Sequence, residues 1–436
     1  MRIAVLGLGH VGSVAAACLA EAGHQVLGID VDAGRVGSLQ MGHANFFEPG
    51  LDRLLETVLD TRALTVQALD EVAEPDTQVA VIAVGTPPLK TGGADLSYVR
   101  STLTWLVEHF PRRPLVIMKS TLPPGTGQNL VRQFRVRYVA NPEFLRQGQA
   151  LQDWRRPDRI VIGGESERDI ELAKQLYADV EAPFVITDLS TAEMIKYASN
   201  AFLSTKLSFI NEIANLCDHI EADIDGVVAG LGSDARIGPG FLRPGIGYGG
   251  SCFPKDVRAL EYASTTNGYS CDLLKAVISV NKRQRMLPVH ILRRELGSLA
   301  GRTVAILGLA FKPGTDDLRE APALDILTAL LGEGADVRAY DPLVRQGNSE
   351  LPADATITET AEDAMAGAEA VVLCTEWEEF SRLAWRAVRD TMRPPYLVID
   401  GRNALSPEVL MGLGFTYVGV GRGRRAGVCS RWEKVS

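Results

Sequence analysis

The densest group of reactive residue types in this 436-residue chain is Gly245-Ile246-Gly247-Tyr248-Gly249-Gly250-Ser251-Cys252-Phe253-Pro254-Lys255-Asp256. Glycines ahead of the cysteine permit close approaches that a side chain would forbid, and the proline after it stiffens the exit. A thiol held this way can be presented to a ligand. Cysteine attacks as the thiolate, a form that a cation such as Lys255 favours, while Asp256 has the chemistry to orient water or move a proton. The same pattern also fits a small buried hydrophobe at a glycine-rich turn. On this segment alone both readings stand.

Two stretches of matching design must position that chemistry. Arg2 to Leu6 reads as a buried strand, Gly7-Leu8-Gly9-His10-Val11-Gly12 as a tight turn into a helix, and Gln25 to Asp30 as the next strand. The first glycine allows the turn, the second lets a pyrophosphate reach backbone N–H groups, and the third lets helix pack on sheet. Asp30 closes the second strand where it can accept bonds from ribose hydroxyls and repel a 2′-phosphate, which favours NAD over NADP. Arg35 is the counterargument, or else stacks on adenine or sits in solvent. Further strands, Gln78 to Val84, Leu115 to Met118 and Arg137 to Ala140, lead into Gly85-Thr86-Pro87-Pro88, Lys119-Ser120-Thr121 and Asn141-Pro142-Glu143-Phe144-Leu145. Thr121 contacts cofactor, orders water or caps a turn; Glu143 is a general base or a helix cap.

Ser190 and Glu193 form a capping-box pattern before a stretch to about His219 that lacks Pro and Gly, so one long helix is expected. Lys196 and Asn200, four apart, share a face suited to a carbonyl or hydroxyl. Leu203, Leu207 and Ile210 recur at helical spacing as a core or dimer seam. From Gly301 the opening repeats: Thr303 to Ala310 matches the first strand and turn, and Asp336 to Asp341 the second strand. Strands at Ala370 to Cys374 and Tyr396 to Asp400 extend the order. The second fingerprint breaks at Ala310 and continues through Phe311-Lys312, so Lys312 and Arg402 either hold phosphates of a different ligand or are plain surface cations.

A net charge of -9 gives no general attraction for nucleic acid or an anionic membrane surface. No window is long and apolar enough to span a bilayer, and the six cysteines lack C-x-x-C spacing, so a reducing, cytoplasmic setting is expected. The apolar opening through Ala17 has the outline of a secretory leader, but cleavage would discard the Gly7 to Asp30 pattern. The histidines form no metal-binding spacing and no metal is assigned. The glycine-rich end with Arg422, Arg424, Arg425 and Arg431 reads as a loose tail, or else a polyanion contact.

A dinucleotide site together with a glycine-held cysteine suggests aldehyde-level oxidation, in which thiolate adds to a carbonyl, hydride leaves and a thioester is hydrolysed. With these flanks the chain resembles the UDP-glucose/GDP-mannose dehydrogenase family. The resemblance is carried by Gly7 to Gly12, Val84-Gly85-Thr86-Pro87, Lys119-Ser120-Thr121, Asn141 to Leu145, Glu193-Met194-Ile195-Lys196-Tyr197, Gly249 to Asp256 and Gly308 to Lys312, in family order. It implies an α/β chain of two Rossmann-like domains joined by a central helical dimerisation region, with boundaries expected at 1–189, 190–299 and 300–436. It also implies a homodimer or higher oligomer, NAD as cofactor, and four-electron oxidation of a sugar C6 alcohol to a carboxylate.

By the same resemblance Cys252 is the nucleophile, Lys196 and Asn200 steady the oxyanion, Asp256 and Thr121 position water, and Glu143 is the acid/base group. Gly7, Gly9, Val11, Gly12, Asp30, Arg35, Gly85, Thr86, Pro87, Thr121 and Lys255 would contact cofactor. Phe311, Lys312 and Arg402 would contact the sugar nucleotide along with Glu143, Phe144, Leu145, Lys196 and Asn200. Phe241, Leu242, Gly245, Tyr248 and Gly249 would shape its pocket, and Arg236 would reach in from a neighbouring subunit. His10 stands where the family has tyrosine, and Gln147 where it often has glutamate. The segment from Arg236 to Leu242 resembles the UDP-glucose branch. UDP-N-acetylhexosamine, UDP-galactose and GDP-mannose remain alternative substrates, and a two-electron dehydrogenase or a nonenzymatic nucleotide sensor remain alternative functions.

Overall fold

A computed structural model describes residues 1–72 and 76–422; the arginines at 424, 425 and 431 lie outside the described residues. The chain divides into two compact units, one of Met1–Ala201 with Lys255–Cys271, the other of Phe202–Pro254 with the segment from Asp272 onward.

The first unit is built on an eight-stranded sheet, β1 Arg2–Leu6, β2 Gln25–Asp30, β3 Leu64–Ala68, β4 Val79–Ile82, β5 Leu115–Met118, β6 Tyr138–Ala140, β7 Ile160–Gly163 and β8 Phe184–Thr187. Its order is β3-β2-β1-β4-β5-β6-β7-β8. All pairings are parallel except a single antiparallel contact, Ala140 opposite Gly163. β1, β4 and β5 are apolar along almost their whole length because helices cover both faces, as parallel strands require. On one face lies helix His10–Glu21, whose alanines let it pack close, and on the other helix Ser97–His109 contributes Val99, Leu103 and Leu106. Strand order reverses between β1 and β4, the switch point where open α/β sheets bind ligands. Register aligns Leu6 with Ile82, Ile82 with Met118 and Met118 with Ala140, so the loops after these strands emerge along one edge.

The second unit repeats the plan with six strands, β9 Thr303–Leu307, β10 Asp336–Tyr340, β11 Thr356–Ile357, β12 Ala370–Leu373, β13 Leu397–Asp400 and β14 Thr416–Gly419, in the order β11-β10-β9-β12-β13-β14. Leu307, Leu373, Asp400 and Gly419 end in one row.

The expected long helix spans Leu189–Ile220, and the chain passes from the first unit to the second within it. Its start differs from the capping-box expectation. Asp188 caps it, accepting from Thr191 N at 2.9 Å and Thr191 Oγ1 at 2.6 Å, while Ser190 lies inside the first turn. Glu193 is turned instead to the backbone of Gly125 and Gly127. Ile210 is fully buried, whereas Phe202, Phe209, Leu216 and Ile220 are exposed, so the uncovered apolar seam is not the one through Leu203, Leu207 and Ile210. Among the described residues no helix is long and apolar enough to cross a membrane.

Candidate active site

In the first unit, Gly7 takes φ +89° and donates its N–H to Ile29 O, which turns the chain from β1 into the helix. A Cβ on Gly12 would stand 1.8 Å from Gly7 O, whereas one on Gly9 would meet nothing within 4 Å. Gly12 is thus a packing glycine and Gly9 a bare approach to the helix start, which carries no side-chain cap. A dinucleotide pyrophosphate fits this cradle, with the amides around Val11 as donors. His10 packs on Phe46 and bonds Glu48 at 2.9 Å; Glu48 in turn accepts from Gly148 N and Ala150 N. The imidazole that stands in place of tyrosine therefore ties the glycine turn to the loops around residues 48 and 148.

The Asp30 carboxylate is buried and accepts from Leu8 N at 2.6 Å, Asp32 N at 2.9 Å and Arg35 Nη1 at 3.0 Å on each oxygen. Arg35 is thereby drawn to the very carboxylate expected to meet ribose hydroxyls. In the second unit the matching Asp341 is fully enclosed and spent on Leu309 N, Ala310 N and Trp377 Nε1.

Along the edge after β4, β5 and β6, Gly85 and Pro87 are exposed while Thr86 is buried and donates its hydroxyl to Thr121 O at 3.0 Å. Lys119, almost fully buried, donates to Tyr177 OH at 2.7 Å and lies 5.0 Å from the Trp154 ring. Tyr177 passes the contact on to Asn141 Oδ1, at the head of the Asn-Pro-Glu turn. The loop thus delivers Glu143 to Lys196, Nζ to Oε1 3.0 Å, with Leu145 N donating to Oε2 at 2.6 Å. Burial pushes the Glu143 carboxyl up, but Lys196, the Leu145 amide and Lys119 together outweigh it and hold the group below its ordinary value. Phe144 lies beneath the Arg159 guanidinium at 3.6 Å and 5.2 Å from Lys196. One turn further along the long helix, Asn200 Nδ2 donates to Asp256 Oδ2 at 2.6 Å, and Lys255 Nζ to Asp256 Oδ1 at 2.6 Å. Two donors on one helix face thus each hold a buried carboxylate.

In the second unit the glycine-rich loop is clamped from several sides. Asn211 accepts from Gly245 N, Gln284 donates to Gly245 O, Asn281 both accepts from and donates to Tyr248, and Arg285 donates to the carbonyls of Tyr248 and Glu320. A Cβ on Gly249 would lie 2.1 Å from Glu320 O, and one on Gly250 2.8 Å from the Phe311 ring. Glycine here serves close contact with the loops after β9. Cys252 is half-buried, its Sγ 3.6 Å from Ser251 Oγ. The Arg319 guanidinium is held above its ordinary value first by its bond to Asp317, with Cys252 a lesser contributor. By contrast, burial pushes the thiols of Cys18 and Cys374 up to about 12, which leaves them inert. Phe241, with φ +60°, and Tyr248 both pack on Phe253, and Leu242 is buried.

Lys312 Nζ lies 5.5 Å from the ring of Phe311. Arg402 spends its donors on Cys374 O, Gly247 O and Phe311 O, bridging three loops at the edge of the second sheet. Arg236 is exposed and forked onto its neighbour Asp234. The sequence reading missed Arg319, the clamp residues Asn211, Asn281, Gln284 and Arg285, and any role for Glu193 beyond capping. Arg319 had a local signal, a further cation in the stretch that follows Phe311-Lys312; the clamp residues had none.

A first sheet bearing a dinucleotide turn, a second with that turn rebuilt, and paired buried carboxylates at the first sheet's edge define an NAD-dependent dehydrogenase with a second nucleotide-binding sheet. Comparison with known proteins is specific. The UDP-glucose/GDP-mannose dehydrogenase family matches in three consecutive parts, its NAD binding domain over residues 1–181, its central domain over 190–283 and its UDP binding domain over 305–407. A UDP-glucose 6-dehydrogenase of Pseudomonas aeruginosa is 44% identical across 98% of this chain and 99% of its own. The solved UDP-glucose dehydrogenase of the archaeon Pyrobaculum islandicum is 37% identical with a TM-score of 0.89, covering 96% of this chain and 97% of that one. A UDP-D-ManNAc dehydrogenase from Pyrococcus horikoshii is 30% identical with a TM-score of 0.86, over 97% of this chain and 99% of that one. The chain belongs to the UDP-glucose/GDP-mannose dehydrogenase family.

Proposed function

We propose that this chain oxidises the C6 alcohol of UDP-glucose to the carboxylate of UDP-glucuronate, a four-electron conversion in which Cys252 carries the sugar. The observation that carries the reading furthest is the pair of buried contacts on one helix face, Lys196 with Glu143 and Asn200 with Asp256. Together they present two N–H donors for an oxyanion and two carboxylates to manage water. Support for UDP-glucose comes from the names of the relatives in Pseudomonas aeruginosa and Pyrobaculum islandicum.

The amides of the first glycine turn, with Asp30 and Arg35, would hold NAD, which would supply the hydride acceptor for both oxidations. The Cys252 thiolate adds to the aldehyde carbon after the first oxidation, so the thiohemiacetal retains what would otherwise escape as free aldehyde. Loss of the second hydride leaves a thioester. Glu143, held below its ordinary carboxyl value, is in the ionised form that can take a proton from attacking water. Collapse then breaks the C–S bond and returns the thiolate. Lys196 and Asn200 donate to the oxygen that gains charge, and Asp256 with Thr121 orients the water. Residues 1–189 are assigned to NAD, 190–299 to the central helical region with its dimer contacts and the cysteine, and 300–436 to the nucleotide sugar, with Phe311, Lys312 and Arg402 as contacts. A cytoplasmic location is consistent with the free thiols of the described cysteines.

A product assay decides the proposal. The expected result is two NADH and one uronate per UDP-glucose, and a sugar-nucleotide adduct on Cys252 in the quenched protein, strongest in Glu143→Gln. A Cys252→Ala protein that still yields two NADH at full rate would sink the covalent route. Faster turnover of a UDP-N-acetylhexosamine, UDP-galactose or GDP-mannose in the same panel would move the substrate assignment.

A further inference from the structure

We propose that Glu193, Thr121 and one water in the small cavity they share with Tyr138 and Lys196 form a proton relay that takes the hydroxyl proton away from the reacting sugar, the Tyr138 hydroxyl orienting that water. This rests on the dehydrogenase reading above. Glu193 stands on the long helix one turn before Lys196 and therefore on the same face. Its carboxylate is buried, with Oε2 accepting from Gly125 N and Oε1 from Gly127 N, both at 2.7 Å. Tyr138, on β6, is buried too, and its hydroxyl has no hydrogen-bond partner among the described residues. An orphaned buried hydroxyl is costly, and a bound water is the usual remedy where a polar cavity admits one. Such a cavity is present. Tyr138, Glu193, Ser120, Thr121 and Lys196 bring polar groups to a lining that is otherwise apolar, and the cavity volume of about 10 Å³ is the least that admits a single water.

The groups around Glu193 make it the one proton store in this cluster. Burial pushes its carboxyl up to about 7, against the pull of the amides of Gly127, Gly125 and Thr126, and the charge of Asp188 adds to the rise. Tyr138, facing it from β6, is pushed well above its ordinary value by burial and by the Glu193 charge, and Tyr197, on the same helix, is raised by burial and the charges of Asp256 and Glu193. Both phenols stay neutral, so neither holds the proton, and the Tyr138 hydroxyl serves to orient the water. Lys196 is the cation on the cavity wall.

When an alcohol-level carbon loses hydride, its O–H bond breaks and that electron pair becomes the second C–O bond. The released proton goes to Thr121 Oγ1, Thr121 gives its own to the cavity water, and the water gives one to the Glu193 carboxylate. No electron moves in these hops; one O–H bond is lost at the sugar and one is formed on Glu193, which returns the proton to solvent between turnovers.

Because the carboxylate must be ionised to accept, turnover should fall on the acid side of about pH 7. Glu193→Gln should lower kcat by roughly tenfold or more, leave both KM values nearly unchanged and remove that acid limb. Tyr138→Phe should lower kcat by roughly severalfold while the limb remains. In the infrared, the unaltered protein should show a protonated-carboxyl C=O band that disappears as pH rises through about 7 and is missing from Glu193→Gln. An unchanged acid limb in Glu193→Gln, or a band confined to the ordinary carboxylate range, would overturn the relay. Should Glu193→Gln not fold, Tyr138→Phe and the infrared titration of the unaltered protein carry the test. The infrared result does not need turnover, so absence of UDP-glucose-dependent NADH would refute the functional reading and leave the Glu193 titration standing or falling by itself.

Discussion

Lys196 and Glu143 keep only 5% and 7% of their side-chain surface in contact with water. Removing one partner from such a pair leaves a desolvated charge, a change that typically costs about 3–5 kcal/mol, whereas removing both is often nearly neutral. Lys196→Met should therefore be strongly destabilised in urea at neutral pH, and adding Glu143→Gln should restore part of the loss. A double variant whose loss equals the sum of the two single losses would mean the pair is uncoupled. Glu193 carries the opposite sign. The native carboxyl keeps its proton to about pH 7 while the unfolded chain loses it near 4.5. Between those values the native state binds more protons, so this group's stabilising contribution is full below pH 4.5 and is lost as pH rises to 7. The shift corresponds to about 3 kcal/mol. Glu193→Gln, which has a donor where one backbone amide needs an acceptor, should be offset by a constant. Its stability relative to the unaltered protein should improve by up to about that amount from pH 4.5 to pH 8. A flat difference across the range would remove the raised carboxyl from the account.

The loop from Gly245 to Ser251 shows what an element owes to distant residues. Its glycines are legible in the sequence because a run of glycines ahead of a cysteine weakens any regular element and is useful chiefly where backbone must pack close. What holds the loop is not legible, since Asn211, Asn281, Gln284 and Arg285 lie 33 to 39 residues from the backbone they bond. Polar residues inside helices have no period that names such partners. The misread helix start has the same cause: Ser190 with Glu193 satisfies the local pattern, but the unsatisfied amides of Gly125 and Gly127 compete for Glu193 and win. Strands with apolar runs, such as β1, β5 and β9, were legible nearly to the residue; β8, at the sheet edge and half-exposed, was not. Gly249→Ala tests the loop as an element. Its Cβ would meet Glu320 O at 2.1 Å, so backbone must shift. Misplacement on that scale should cost roughly hundredfold in kcat. Circular dichroism should stay close to that of the unaltered protein, and a fully active Gly249→Ala would mean that the close packing is not what positions Cys252.

At the scale of the whole molecule the long helix leaves one feature the single chain does not satisfy. Phe202, Phe209 and Leu216 recur every seven residues, so they form one stripe, and with Ile220 they are 65%, 49%, 53% and 63% exposed. Burying a side chain of this kind is worth about 1.5–3 kcal/mol, and an exposed row along one helix is the usual sign of a partner. A second copy of the chain is the simplest occupant, because a twofold axis across the helix sets the stripe against itself without needing another protein. In such an interface every substitution counts twice. Phe209→Glu would place two carboxylates in the apolar contact, lose the burial of two rings, and set like charges close together. Sedimentation of the unaltered protein should therefore give a dimer or a larger closed assembly at assay concentration, and Phe209→Glu should shift it to monomer. Buried Ile210, on a different face of the same helix, provides the contrast: Ile210→Ala should lower the unfolding midpoint through a cavity costing about 2–5 kcal/mol, yet leave assembly intact while the chain remains folded. A monomeric unaltered protein, or a Phe209→Glu protein that sediments unchanged, would show that the stripe serves some other contact.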